Sequence, residues 1–402
     1  MEDKSPLPRE GAFSRRVLLL DDDPVALKVL AARLQALGME VFACRELEAA
    51  EAILDHIPMD AVVTDLCTSP LGGLDGTHLL RHMATHFPET DLIAVSSHSS
   101  EAVRRLTLEI GANSFYEKPA DPGILAERLM RGVSIPVEQV PGVIHDVEAL
   151  DDFLAAKPIH SVLQPIVSLQ DGRRAHPVHG LECLARGPRH SMMRNPEILF
   201  EYASRKERLY ETDLLCIAAG LSEASRMPRG PRIFLNVQPR SMTNSEFTRA
   251  VGRLVESSGF APGDIVFELV EQQTILNPRA FASTVAQVRR HGFKVALDDF
   301  GVGFCNLNLL LDLHPDYVKL PRYFARGVGE DFDKQEVVHA VRTLVALLGM
   351  PVIMEGIETV EELEKVRHLG VEYGQGYFFS RPQRAEDLLK SPAFRSPAPA
   401  AP

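Results

Sequence analysis

Tryptophan is absent from the 402 residues, and cysteine occurs only five times, at Cys44, Cys67, Cys183, Cys216 and Cys305. No two cysteines form a CxxC pair and their number is odd. The pattern excludes a disulfide framework or a cysteine-based zinc site and points to reduced thiols. No apolar run approaches the ~18 residues that a membrane span needs. The amino terminus, MEDKSPLPREGAF, has no apolar core of a secretory leader, so a cytoplasmic chain without membrane attachment is expected. Basic residues are outnumbered, and the net charge of −12 disfavours a nucleic-acid reader working through a broad basic surface. It leaves room for an anionic small ligand received by cations or by a local basic cluster.

What is present is ample material for packed cores. Hydrophobic residues make up 45% and charged residues 24%, and the length suits two or three domains. From Arg16 onward apolar strand-like runs alternate with helical patterns: RVLLLDDD, MEVFACR, MDAVVTDL, DLIAVSS and NSFYEKP read as strands, each followed by a helical stretch. Five such units predict a doubly wound, flavodoxin-like parallel sheet over 14–134, behind a tail over 1–13. VSIPVEQVPGVIHD has two prolines and no helical period, and reads as a linker over 135–154 that passes into a signalling helix over VEALDDFLAAK. A second alternating series follows, and about 240 residues of this kind predict a TIM-like (β/α) barrel over 155–390. The Pro/Ala-rich residues 391–402 are expected to be a disordered tail.

In the first domain the strand ends carry chemistry. Asp21 and Asp22 end the first strand, Asp65 the third, Ser96 the fourth and Lys118 the fifth. Open parallel sheets gather function at these ends. Clustered carboxylates need a cation, and oxygen ligands suit Mg²⁺. These positions, in this order, resemble a two-component receiver domain. The resemblance implies that Asp65 accepts a phosphoryl group from a sensor histidine kinase. It also implies that Asp21, Asp22 and Asp65 hold one Mg²⁺, that Ser96 and Lys118 sense the phosphate, and that Phe115 is the aromatic switch. The loop DLCTSPLGGLDG is longer than the usual form.

The second domain contains KVALDDFGVGF, in which two adjacent aspartates close an apolar run. Neighbouring strand residues point to opposite faces, so Asp298 and Asp299 can share one site only where the strand ends and the backbone bends. Other expected strands also end in polar groups: Glu182, Asn236, Glu268 with Glu271, Lys319, Glu355 with Glu358, and Gln375. A barrel would gather them at its C-terminal face, and so many carboxylates and amides select Mg²⁺ or Mn²⁺ over zinc. A carboxylate shared by two ions is the pattern of metal-assisted phosphodiester hydrolysis, with Asp298 as the bridge. His176, His179, His291 and His314 lack ligand spacing and read as loop or surface residues; Glu358 and Glu372 read as surface acids, and Met192 and Met193 as loop packing.

In order, LQPIV, ECL, LNVQP, ELVE, DDFGVG, VKL, EGIE and GQGYFFSRP resemble an EAL phosphodiesterase domain, which hydrolyses cyclic di-GMP to linear pGpG. The resemblance implies that Glu182, Asn236, Glu268 and Asp298 hold one ion, and that Asp298, Asp299 and Glu355 hold a second. Lys319 would contact the attacking water, Glu271 would hold the DDFGVGF loop, and Gln164, Arg186 and Gln375 would contact substrate. Homodimers or larger oligomers are expected on the same ground. The chain departs from the family at Cys183, Gly187, Val302 and Phe304, and most at Pro321, where the family has an aspartate two residues after the lysine. Two readings stand: a phosphorylation-controlled cyclic di-GMP phosphodiesterase, or a barrel that binds the nucleotide and passes its occupancy to a partner.

Overall fold

In the computed structural model the apolar runs become strands. The structure describes residues 15–66, 76–97, 100–130, 142–170, 177–189, 191–270, 278–301, 307–391 and 394. The chain forms two compact units. One holds the residues up to Pro158 together with Gly187–Arg208; the other holds Ile159–Arg186 and the chain from Leu209.

The strands of the first unit are β1 (Arg16–Leu20), β2 (Glu40–Cys44), β3 (Ala61–Asp65), β4 (Asp91–Ser96), β5 (Ser114–Glu117) and β6 (Val143–Val147). Its helices are α1 (Pro24–Ala36), α2 (Leu47–Leu54), α3 (Gly76–His86), α4 (Glu101–Ile110), α5 (Pro122–Leu129), α6 (Leu150–Ala156) and α7 (Pro196–Arg205). The strands pair in parallel in the order β5-β4-β3-β1-β2-β6. Val17, Leu19, Val63, Ile93 and Val95 face a core shared with Leu27, Leu34, Leu125 and Leu129. The third aspartate of the DDD run is a helix cap: the Asp23 carboxylate accepts from Val25 N and Ala26 N, and Pro24 opens α1.

Part of the expected linker is a strand. Val143–Val147 add to the sheet edge beside β2, in register from Glu40↔Val143 to Cys44↔Val147. An edge strand needs pairing on one side only, so five residues with Val147 buried are sufficient and no helical period betrays them. The expected helix after it is α6.

The second unit contains β7 (His160–Ser168), β8 (Val178–Arg186), β9 (Arg232–Asn236), β10 (Ile265–Val270), β11 (Lys294–Asp298), β12 (Tyr317–Leu320), β13 (Val352–Met354) and β14 (Tyr373–Gly374). They close into an eight-stranded barrel. It differs from a uniform TIM-like barrel in one strand: β7 runs antiparallel to both of its neighbours, β8 and β14. Residues 169–177 join β7 to β8, and a parallel pair needs a crossover of about a dozen residues or more, so the two strands form a hairpin. Inside the barrel Ile166, Phe234, Val266, Ala296, Tyr317 and Ile353 form one apolar layer, with Tyr373 against it. Gly180 belongs to this level, because a Cβ there would lie 2.4 Å from the Phe234 ring. His179 is not a surface residue: its ring stacks on Tyr373 at 3.9 Å and meets the Tyr317 hydroxyl at 3.0 Å. Burial lowers its pKa to about 4. Glu372 is structural, pairing with Arg342 at 2.9 Å and accepting from Val352 N.

Helix α8 (Leu209–Ala224) carries a fully buried acid, Asp213, that accepts from Gln238 N at 3.2 Å. Burial pushes its carboxyl up to about 8, against partial relief from the Ser241 hydroxyl and that N–H. The folded chain therefore holds the Asp213 proton where the unfolded chain has lost it. The stability this gives is complete below the ordinary 3.8 and is lost as pH rises toward about 8. Asp213→Asn should flatten this decline. Urea denaturation at about pH 5 and about pH 8.5 should show wild type losing more stability than the variant.

Candidate functional site

The site in the barrel is built by the two-residue period of the strands. Moving two residues from each member of the apolar layer, toward the C-terminal face, gives Glu182 from Gly180, Asn236 from Phe234 and Glu268 from Val266. The same step gives Asp298 from Ala296, Lys319 from Tyr317, Glu355 from Ile353 and Gln375 from Tyr373. On reversed β7 the step runs backward, from Ile166 to Gln164, which lies opposite Glu182 in the register. Residues two apart share a strand face, so a polar layer sits directly on an apolar one.

Lys319 lies at the centre of this layer with no exposed surface. Its Nζ is 2.7 Å from Glu355, 2.8 Å from Glu268, 3.2 Å from Asp298 and 3.8 Å from Glu182. Burial alone would lower the Lys319 pKa, but the surrounding carboxylates hold it well above its usual value. The carboxyls divide. Burial, reinforced by neighbouring charge from Glu182 and Asp298, pushes Glu268 well above the carboxylate range despite Lys319. Burial likewise raises Glu355 to about 8. Glu182 is also desolvated, yet Lys319 and hydrogen bonds from Gln375 and Asn236 bring it below its usual value.

Asp299 answers the question of the paired aspartates. Its backbone sits at φ +54°, in the left-handed region that aspartate tolerates better than most residues. The bend follows the end of β11, and oxygens of Asp298, Asp299 and Glu355 come within 4.8 Å of one another. The donor set fits hard divalent cations: three carboxylates converge, and the fully buried Glu268 carboxyl lies in the same polar layer.

The expected substrate contacts also gather here. The Gln375 amide nitrogen donates to Gln164 Oε1 at 3.0 Å and to a Glu182 oxygen, and Gln164 donates to Ser380 O at 3.1 Å. Arg186 ends β8, four residues after Glu182, and donates to Ala185 O. Glu271 and residues 302–304 of the DDFGVGF loop lie outside the described residues. Pro321 is buried and caps the short helix Arg322–Ala325, so no carboxylate follows Lys319 at that position.

A smaller cluster occupies the first unit. Lys118 Nζ is 2.8 Å from Asp21 and 2.7 Å from Asp65, and oxygens of Asp21, Asp22 and Asp65 lie within 4.8 Å of one another. Burial raises the Asp21 carboxyl against Lys118's opposing charge. Burial opposes the charged form of Lys118, but hydrogen bonds and the charges of the two acids raise its pKa. Ser96 is fully buried at the end of β4, and Phe115 is half-buried in β5. Sequence reasoning missed Asp213; its signal is a single acid in the apolar period of LYETDLLCIAAG.

Residues 147–382 match the EAL domain family, and residues 17–130 match the response regulator receiver domain. The chain is 25% identical to the cyclic di-GMP phosphodiesterase RocR of Pseudomonas aeruginosa, covering 93% of this chain and 97% of RocR. It is 28% identical to the probable cyclic di-GMP phosphodiesterase PdeA of Escherichia coli, over 40% of this chain but only 22% of PdeA's length. Among solved structures it resembles the manganese/cy-diGMP complex of Klebsiella pneumoniae BlrP1. The TM-score there is 0.51, with 29% identity over 56% of each chain. It also resembles the cGMP-bound EAL enzyme Bd1971, with TM-score 0.54 and 25% identity over 60% of this chain and 67% of that one.

The pKa pattern makes cation affinity pH-dependent. With its carboxyl raised to about 8, Glu355 is protonated at neutral pH in the cation-free site, and a cation must displace that proton. Apparent Mn²⁺ affinity should rise from about pH 6 and level off above about pH 9. Calorimetry in buffers of different ionisation heat should detect proton release at neutral pH, measured in Asp65→Asn so that only the barrel cluster is read. Glu355→Gln should release fewer protons.

Proposed function

The chain belongs to the EAL domain family, with a receiver domain ahead of the EAL domain, and on that premise we propose that it hydrolyses cyclic di-GMP to linear pGpG under the control of phosphorylation at Asp65. The observation that carries this reading is the single polar layer in which Glu182, Asn236, Glu268, Asp298 and Glu355 surround Lys319, with Asp299 turned into the same site. Glu182, Asn236, Glu268 and Asp298 would hold one Mg²⁺ or Mn²⁺, and Asp298, Asp299 and Glu355 a second. Bound divalent cations supply positive charge to the phosphodiester and lower the pKa of water beside them.

The chain's own groups do the rest. Arg186 meets phosphate charge, while Gln375, tied to Glu182, and Gln164, tied to Gln375, position the nucleotide against the carboxylates. Lys319 keeps its proton at Nζ and orients the attacking water by donating a hydrogen bond to it. Its rigid burial fixes the direction of approach. Glu271 would hold the DDFGVGF loop. In the receiver, a phosphoryl group on Asp65 would draw Lys118 from its pairing with Asp21, engage Ser96 and let Phe115 repack. A sensor histidine kinase would supply it, and a second copy of the chain is the expected assembly partner. Pro321 supports one alternative, a barrel that binds the nucleotide with little turnover, because the carboxylate two residues past Lys319 is missing.

Purified protein with Mg²⁺ or Mn²⁺ should convert cyclic di-GMP to pGpG, and Glu182→Ala or chelation should remove most of the product. Nucleotide binding with no pGpG in either metal would select the binding-module reading.

A further inference from the structure

Gly187 departs from the family pattern, and the structure gives the reason. A Cβ at this position would lie 2.3 Å from Met193 O and 2.9 Å from Arg194 N. The backbone of the turn Met192–Arg194 is folded against Gly187, so no side chain fits. Gly187 is also where the chain leaves the barrel unit directly after Arg186 and joins the first unit, in which it remains until Arg208.

Within that unit α7 packs on the receiver helix α2. Ile198, Leu199, Tyr202 and Ala203 are its buried face, and Ala49, Ala50, Ala52 and Ile53 are buried on α2. Polar groups then fix the register. The fully buried Tyr202 donates its hydroxyl to Glu46, at the N-cap of α2, and accepts from Leu150 N at 3.2 Å. Arg205 forks between Glu51 at 2.7 Å and Asp55 at 2.5 Å, and its Nε meets Glu201 at 2.9 Å. Lys206 reaches Glu46 at 3.3 Å. An isolated surface ion pair contributes little, but a forked guanidinium beside a buried tyrosine hydroxyl is a geometric lock.

On the other side α2 packs on α3, and α3 begins against the phosphoacceptor. Gly76 N donates to Leu66 O, and a Cβ on Gly76 would lie 2.1 Å from Asp65 O. A shift of the Asp65 backbone therefore pushes on α3 without a flexible side chain between them.

We propose that α7 is this protein's coupling element: locked to α2 by Tyr202 and Arg205, it carries the state of the Asp65 site through Gly187 to Arg186. The proposal rests on the phosphorylation and hydrolysis reading above. A coupling of this kind has the size of an allosteric free energy, about fivefold or more in effect. The path is packed and hydrogen-bonded within the first unit and reaches the barrel along the chain from Gly187 to Arg186.

The test uses the full chain with beryllofluoride as the phosphoryl mimic, reading cyclic di-GMP turnover and amide hydrogen exchange over residues 191–205. In wild type both should change. Arg205→Ala, and independently Tyr202→Phe, should keep unstimulated turnover within about twofold while losing most of a response of about fivefold. Arg205→Lys should restore part of it. Variants that respond as wild type does would overturn the proposal, as would wild-type exchange that ignores beryllofluoride. Exchange that responds while turnover does not would support the coupling and defeat the reading of phosphorylation control.

Discussion

One ammonium group stands among four carboxyls in the barrel, and the second unit's chemistry depends on how that imbalance is resolved. Placing an ion in a protein interior costs several kcal/mol even after relaxation, so Lys319 cannot compensate Glu182, Glu268, Asp298 and Glu355 together. Without cations the site answers by retaining protons, which is why Glu355 is raised to about 8 and Glu268 is raised well above its usual range. On the proposed reading, cations would displace those protons and take the oxygens as ligands. The same charge imbalance that makes the layer unfavourable alone makes it selective for hard divalent ions.

Much of this layer was legible in the sequence because strands have a side-chain period of two. Polar residues that end apolar runs, such as Glu268 in IVFELV and Lys319 in YVKL, declare which face and which end they occupy. Ordered repetition of that ending in strand after strand predicts a convergent site on a barrel rim. The bend at Asp299 was legible for the same reason, since two adjacent acids cannot share a face on a regular strand.

What was not legible depends on distance along the chain. The reversed β7 had a readable cue in the short connection 169–177, yet strand direction leaves no mark in the apolar pattern of SVLQPIVSL itself. Strand β6 lay hidden in a proline-bearing stretch because an edge strand needs few residues and one partner. The grouping of α7 with the receiver rests on Tyr202 with Glu46 and Arg205 with Glu51, more than 150 positions apart, and no local period encodes such a pair. Asp213 is the intermediate case: its burial follows from the helix around it, but its partner Gln238 N comes from the next strand's loop.

The central claim is that Lys319 serves as the site's charge partner when cations are absent and as a positioning group when they are present. Lys319→Met separates the two roles. In metal-free buffer the variant should lose about 3–5 kcal/mol of unfolding free energy, the loss expected when a buried charge group loses its partner. Saturating Mn²⁺ should recover most of that stability, while turnover of cyclic di-GMP stays low. An equal loss of stability with and without Mn²⁺, or near-normal turnover in the variant, would contradict the account.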